Sequence, residues 1–251
     1  SPCFEARRGS AHGYDVVDPT RLRGELGGDA GFERLASAFR AVDMAVIIDL
    51  VPNHMAASHE NRWWWDVLAR GRQSPFARYF DIEWDPPQPW LRGKVLLPVL
   101  GASLRETVRR GDIELVESHA GRALRYGDSL FPIAEAVAAL ESCRLEKLLA
   151  RQNYVLAHWR DGLAEINYRR FANVTGLVSV RVEDEEVFNA VHVKAFELLE
   201  RGLVDDFRID HIDGLRDPSG YLRRLRDRAP DAWIVVEKVL TRAERLRSDW
   251  P

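Results

Sequence analysis

Asp210 and Glu237 each close a short, apolar, β-branched run, Phe207-Arg208-Ile209-Asp210 and Ile234-Val235-Val236-Glu237. The separation of 27 positions between the two acids equals about one strand, one helix and the next strand, which sets the carboxylates side by side on one rim of a parallel sheet. Two acids so placed suit double displacement at an acetal carbon, one as nucleophile and the other as proton donor and then acceptor.

The neighbours of these acids sharpen the reading. The side-chain period of two puts Arg208 on the same face as Asp210, where a guanidinium favours the ionised form that a nucleophile needs. A structural Arg–Asp pair at a sheet end explains that segment equally well. Glu237 follows four apolar residues, so low-dielectric walls are expected to keep it protonated as a general acid, with Lys238 turned to the other side of the strand. Taken alone, Glu237 reads as a structural or surface acid, and the catalytic reading comes only with Asp210 one βα unit away. Asp49, Asn53 and His54 close a third apolar run, Ala45-Val46-Ile47-Ile48-Asp49-Leu50-Val51, and a carboxylate in such a run needs a partner, for which Arg208 is the best candidate. His54 reads either as a donor to a ligand hydroxyl or as a satisfied structural residue. Tyr14, in His12-Gly13-Tyr14-Asp15, offers a ring to the apolar face of a pyranose or simply packs beside a turn. Trp63, Trp64, Trp65, Trp84 and Trp90 line a glycan groove or form a local core. The cluster Glu165-Ile166-Asn167-Tyr168-Arg169-Arg170 concentrates polar recognition groups or makes an exposed charged turn.

The elements that must position these residues follow from periodicity. Residues 30–42 place Phe32, Leu35, Ala36, Phe39 and Val42 at helical spacing, and residues 45–51 read as a buried parallel strand. Residues 186–201 form a second amphipathic helix, 204–210 a strand, 218–228 a basic helix, 233–237 a third strand, and Thr241 caps a short last helix. Residues 55–185 break this rhythm with Trp-rich and Pro-rich pieces. The chain therefore divides into barrel segments at 1–54 and 186–251 flanking an inserted subdomain at 55–185. The fold class is α/β, a partial (β/α)8 barrel with about three of its strands present.

Several partners are disfavoured. A net charge of −3 offers no basic stripe for a nucleic acid. No run approaches the roughly 20 apolar residues of a membrane span, and no signal segment leads the chain, so a cytoplasmic protein is expected. Cys3 and Cys143 lack ligand or disulfide spacing and read as buried reduced thiols, and no metal or cofactor is called for.

Asp49-Leu50-Val51-Pro52-Asn53-His54 resembles the first conserved region of the α-amylase superfamily of (β/α)8 glycosidases and transglycosidases. Arg208-Ile209-Asp210-His211 resembles its nucleophile region and Val236-Glu237-Lys238 its acid/base region. Residues 12–18, 61–68, 94–101, 165–171 and 204–214 are similar to one branch of that family, which rebuilds the reducing-end α-1,4 bond of a maltodextrin as an α,α-1,1 bond. The resemblance implies Asp210 as nucleophile and Glu237 as acid/base. Tyr14, Asp49, Asn53, His54, Arg208, His211 and Lys238 would then contact the sugar, with no cofactor. It also implies a third catalytic Asp and further strands outside residues 1–251, so the chain reads as a fragment expected to be inactive alone. An α-1,4-glucan hydrolase and an inactive glycan-binding piece are the competing readings. Where the family carries Gly-Leu, this chain has Asp206-Phe207, and strand parity predicts that Asp206 pulls on Arg208 and raises the pKa of Asp210.

Overall fold

The computed structural model describes residues 1–118, 121–137 and 144–250. Two compact units emerge, one from residues 1–56 and 180–251 and the other from residues 57–179. Among the described residues no helix is long and apolar enough to cross a membrane.

The first unit begins with an irregular antiparallel pair, β1 (Phe4–Ala6) and β2 (Val16–Leu22), whose connection carries Tyr14. Helix α1 (Gly28–Arg40), β3 (Ile47–Leu50) and the short β4 (His54–Ala56) follow. Helix α1 starts and stops two residues earlier than its periodicity predicts, and Asp43 at φ 55° turns the chain out of it. Of its predicted apolar face only Ala36 is buried, whereas Leu35 and, beyond the helix, Val42 are exposed.

Chain order then runs through the second unit. It contains α2 (Arg62–Arg70), β5 (Val95–Leu100), α3 (Leu104–Arg110), β6 (Ile113–Ser118), β7 (Gly121–Tyr126), β8 (Ser129–Pro132), α4 (Leu145–Ala150), β9 (Tyr154–His158), α5 (Trp159–Glu165) and β10 (Leu177–Ser179). Strands β5 and β9 pair in parallel, and β6, β7 and β8 form an antiparallel meander. Helix α5 packs so closely on β5 that a Cβ at Gly162 would lie 2.5 Å from Pro98 Cβ. Asn61 caps α2 by accepting from the Trp63 and Trp64 amides. Trp64 is then buried against Phe80 and Tyr168, and Trp63 stacks on Phe76 and meets Tyr79 edge-on. Trp64 is core and Trp63 half-buried, while Trp90 is half exposed and Arg72 lies over the Trp84 ring. The 165–170 cluster is not simply an exposed charged turn, because Asn167 and Tyr168 within it are buried. Asn167 is buried, accepts from the Leu96 amide at 2.9 Å and donates to the Glu83 and Lys94 carbonyls at 2.9 and 2.8 Å.

The first unit resumes with α6 (Glu185–Glu200), β11 (Asp206–Ile209), α7 (Pro218–Arg228) and β12 (Ile234–Val236). Asp184 caps α6 by accepting from the Glu186 and Val187 amides, and Pro218 opens α7 with Asp217 accepting from the Gly220 amide. Strands β3, β11 and β12 form one parallel sheet with β11 in the centre, in which Arg208 faces Asp49 and Phe207 faces Ile234. Ile48, Leu50, Phe207 and Ile209 are buried, and the Phe207 ring meets Phe196 of α6 edge-on, so that Phe207→Ala would cost about 3–5 kcal/mol. The helix expected from Thr241 is a single turn, closed by the Glu244 amide donating to the Thr241 carbonyl at 3.1 Å. After it Leu246 is exposed, whereas Trp250 is half-buried and donates to Ser219 Oγ at 3.2 Å. Cys3 is a free, half-buried thiol pushed up to about 11 by burial, and Cys143 lies outside the described residues.

His192 shows what this core demands of a titratable group. Its Nδ1 lies 2.7 Å from the Phe188 carbonyl, which can only accept, so Nδ1 carries the proton and Nε2 accepts from the Tyr221 hydroxyl at 2.8 Å. Burial pushes the imidazole down from 6.5 to about 4. Between those values the unfolded chain binds a proton that the fold refuses, so stability falls as pH falls through that window. Between pH 7 and pH 5 the loss from such a group is about 2 kcal/mol. Urea denaturation at the two pH values should reveal it, and His192→Gln should make the dependence shallower by that amount; an equally steep dependence in the variant would exonerate His192.

Candidate active site

Arg208, in the middle of the central strand, reaches the rim of the sheet. Its Nη1 donates to Asp49 Oδ1 and Oδ2 at 2.6 and 2.7 Å and to Asp210 Oδ1 at 3.1 Å. Its Nη2 lies 3.5 Å from Glu237 Oε2. One guanidinium thus joins three carboxylates, one at or just past the end of each strand, because the register places Arg208 beside Asp49 and Ile209 beside Val236. The Tyr14 hydroxyl completes the group by donating to Asp49 Oδ2 at 2.7 Å, and its ring stacks loosely on His12.

The surroundings of both acids differ from the sequence expectation. Asp210 is pushed up to about 6, with burial the largest cause and the nearby charges of Glu237 and Asp49 adding to it. Arg208 opposes that rise without cancelling it. The expected apolar walls around Glu237 are absent: its side chain is 42% exposed, and Oε2 accepts from the His211 amide at 2.9 Å. Burial and the bond to Asp49 push the Tyr14 phenol up to about 12.

Asp206 also departs from its predicted role. Its Oδ1 accepts from the Trp233 amide at 2.6 Å, at the start of the strand. Parity does give Asp206 the face of Arg208, but two residues of strand separate them by about 7 Å, and a backbone donor lies nearer. Its neighbour Asp205 does the same on the other flank, accepting from the Val46 amide at 2.7 Å.

Asn53, His54 and His211 lie close to one another. Asn53 and His54 are almost fully buried, with Asn53 Nδ2 3.3 Å from His54 Nδ1. Burial, with a smaller push from His211, brings His54 down to about 4, so the ring is neutral at pH 7. His211 adopts the left-handed conformation at φ 48°, a costly choice for a non-glycine residue, and opens a tight turn over Ile212–Gly214. A Cβ at Gly214 would lie 2.4 Å from His211 Cδ2 and 2.5 Å from Asn53 Oδ1, so only glycine fits there. Lys238 stands apart, held by Asp213 and Glu244, each at 2.7 Å from Nζ. Sequence reasoning singled out neither Asp213 nor Gly214, although the Asp-Gly pair marks a turn directly after β11.

Residues 1–106 match the alpha amylase catalytic domain model. A protein of Mycobacterium tuberculosis that carries the name maltooligosyl trehalose synthase is 42% identical over all of this chain, which spans 31% of that relative's length. The solved structure of maltooligosyltrehalose synthase from Arthrobacter ramosus superposes with a TM-score of 0.89 at 41% identity, covering 100% of this chain and 32% of that one. A hypothetical maltooligosyl trehalose synthase from Sulfolobus tokodaii gives 0.86 at 39% identity, again over 100% of this chain and 32% of its own. From end to end this chain is similar to maltooligosyltrehalose synthases, and its first 106 residues match the catalytic domain of the α-amylases.

Proposed function

We propose that this chain is part of a retaining transglycosidase that converts the reducing-end α-1,4 linkage of a maltodextrin into an α,α-1,1 linkage. The observation that carries the reading is the single guanidinium of Arg208 holding Asp49, Asp210 and Glu237 at the ends of adjacent parallel strands. In this reading the three strands are part of a (β/α)8 barrel, and residues 57–179 are inserted after its strand β3 and the short β4.

Asp210 attacks the anomeric carbon of the penultimate glucose as the bond from that carbon to O4 of the terminal glucose breaks, and Glu237 delivers its proton to that O4. The freed glucose turns within the site and presents its anomeric hydroxyl, Glu237 takes the hydroxyl proton, and the oxygen displaces Asp210 from the ester. Two inversions preserve the α configuration. Arg208 and Asp49 orient the nucleophile, Tyr14 supports the sugar through its ring, and neutral His54, Asn53 and His211 offer hydrogen bonds to its hydroxyls. Water must be kept out until the glucose has turned, because a hydrolase of the same family differs only in the acceptor.

Maltopentaose incubated with the protein at the full length its gene encodes should lose reducing ends without shortening. Shortened chains that keep their reducing ends would point to hydrolysis instead. Asp210→Asn and Glu237→Gln should each lower turnover about a thousandfold or more.

The acidic limb tests the nucleophile separately. With Asp210 at about 6 and required as the anion, kcat/KM should fall about tenfold per pH unit below that value. Arg208→Gln removes the one cation that opposes the rise and should move the limb to higher pH. A limb that stays in place in this variant would separate Arg208 from the ionisation of Asp210.

A further inference from the structure

We propose that Lys238 and Asp213 form a latch that positions the carboxyl of Glu237, and that Lys238 serves the reaction in this way rather than by touching sugar. The inference rests on the reading of Glu237 as the acid/base. Strand β12 is only three residues long, and the Glu237 side chain beyond it is 42% exposed, so little packing holds the carboxyl in place. The turn that follows β11 supplies the missing restraint. The His211 amide donates to Glu237 Oε2 at 2.9 Å and the Ile212 amide to the Glu237 carbonyl at 3.3 Å.

Asp213, one residue further along the turn, grips the next two residues. Its Oδ2 accepts from the Val239 amide at 3.2 Å and its Oδ1 pairs with Lys238 Nζ at 2.7 Å. Lys238 also binds Glu244 Oε1 at 2.7 Å, and Glu244 Oε2 accepts from the Thr241 amide at 3.3 Å, so the chain after the strand is folded back onto the same ammonium. The turn itself is fixed to the end of β3, because Gly214 lets Asn53 and His211 close over it. Glu237 is therefore held on both sides of its Cα, by turn amides in front and by the Asp213–Lys238 pair behind. The Lys238 side chain is 13% exposed and committed to two carboxylates. A proton donor displaced by about an ångström loses on the order of a hundredfold in rate, so such a restraint acts on kcat.

Lys238→Ala, Lys238→Arg and Asp213→Asn in the full-length protein test the latch through maltopentaose kinetics and backbone amide exchange over residues 234–241. The expected result for Lys238→Ala is a kcat about tenfold lower with KM within about twofold, and faster exchange at Val239 and across the strand end. Lys238→Arg, which can still bridge both acids, should recover most of the rate. Asp213→Asn keeps an acceptor for Val239 but no charge for Lys238, and should lose less than Lys238→Ala in the same direction. A raised KM with unchanged kcat in Lys238→Ala would overturn the proposal in favour of sugar contact, and unchanged exchange would overturn it whatever the kinetics. If the parent protein were inert on maltodextrins, the reading of function would fall, and the exchange result alone would decide whether the latch exists.

Discussion

The rim of the parallel sheet is organised around one positive charge. Asp49 and Asp210 are almost fully buried and Glu237 stands beside them, so three carboxylates would repel one another and resist desolvation were Arg208 absent. Arg208 suits the task because its guanidinium is planar, permanently charged and able to donate in several directions at once, which a lysine ammonium cannot match in the same plane. The arrangement leaves the site with more negative than positive charge, and Asp210 is accordingly raised even though its closest partner is a cation.

That cluster exists only if three strands keep their register. At the lower edge of the sheet Asp205 and Asp206 accept from the first amides of both neighbouring strands, and at the upper edge the Asp210 and Glu237 amides donate to the Leu50 and Ile209 carbonyls, each at 2.9 Å. A slip of one residue would turn Arg208 away from the acids, since successive side chains point to opposite faces. The sheet is therefore tied at both ends, and its hydrogen-bonded middle is short.

Much of this is legible in the residue order. Buried parallel strands announce themselves as short, continuous apolar runs, and an acid closing such a run stands out, so Asp49, Asp210 and Glu237 can be read directly, along with the partnership of Arg208 and Asp49. What cannot be read is competition between partners. Strand parity gives Asp206 the right face, but the nearest unsatisfied donor, the Trp233 amide, comes from a segment 27 residues away. The four apolar residues before Glu237 suggest a dry environment, yet its side chain emerges beyond them toward solvent and a cation. The left-handed turn at His211 is hidden because histidine carries no glycine-like mark, and the adjoining Gly214 reads as flexibility when its role is to admit Asn53. Trp64 and Trp63 show the opposite failure, since a tryptophan-rich stretch suits a sugar groove and a packed core equally until its neighbours are known.

Asn167 carries a liability that its burial conceals. Its amide nitrogen donates to two carbonyls while its oxygen accepts from a third backbone group, so both of its donors and one of its two lone pairs are fixed by distant parts of the chain. Deamidation at this one position would replace the donor with a carboxylate oxygen facing two carbonyl oxygens, turning two bonds into repulsions within a buried space. The chemical ageing of residues 57–179 would then depend on how slowly water reaches a single side chain.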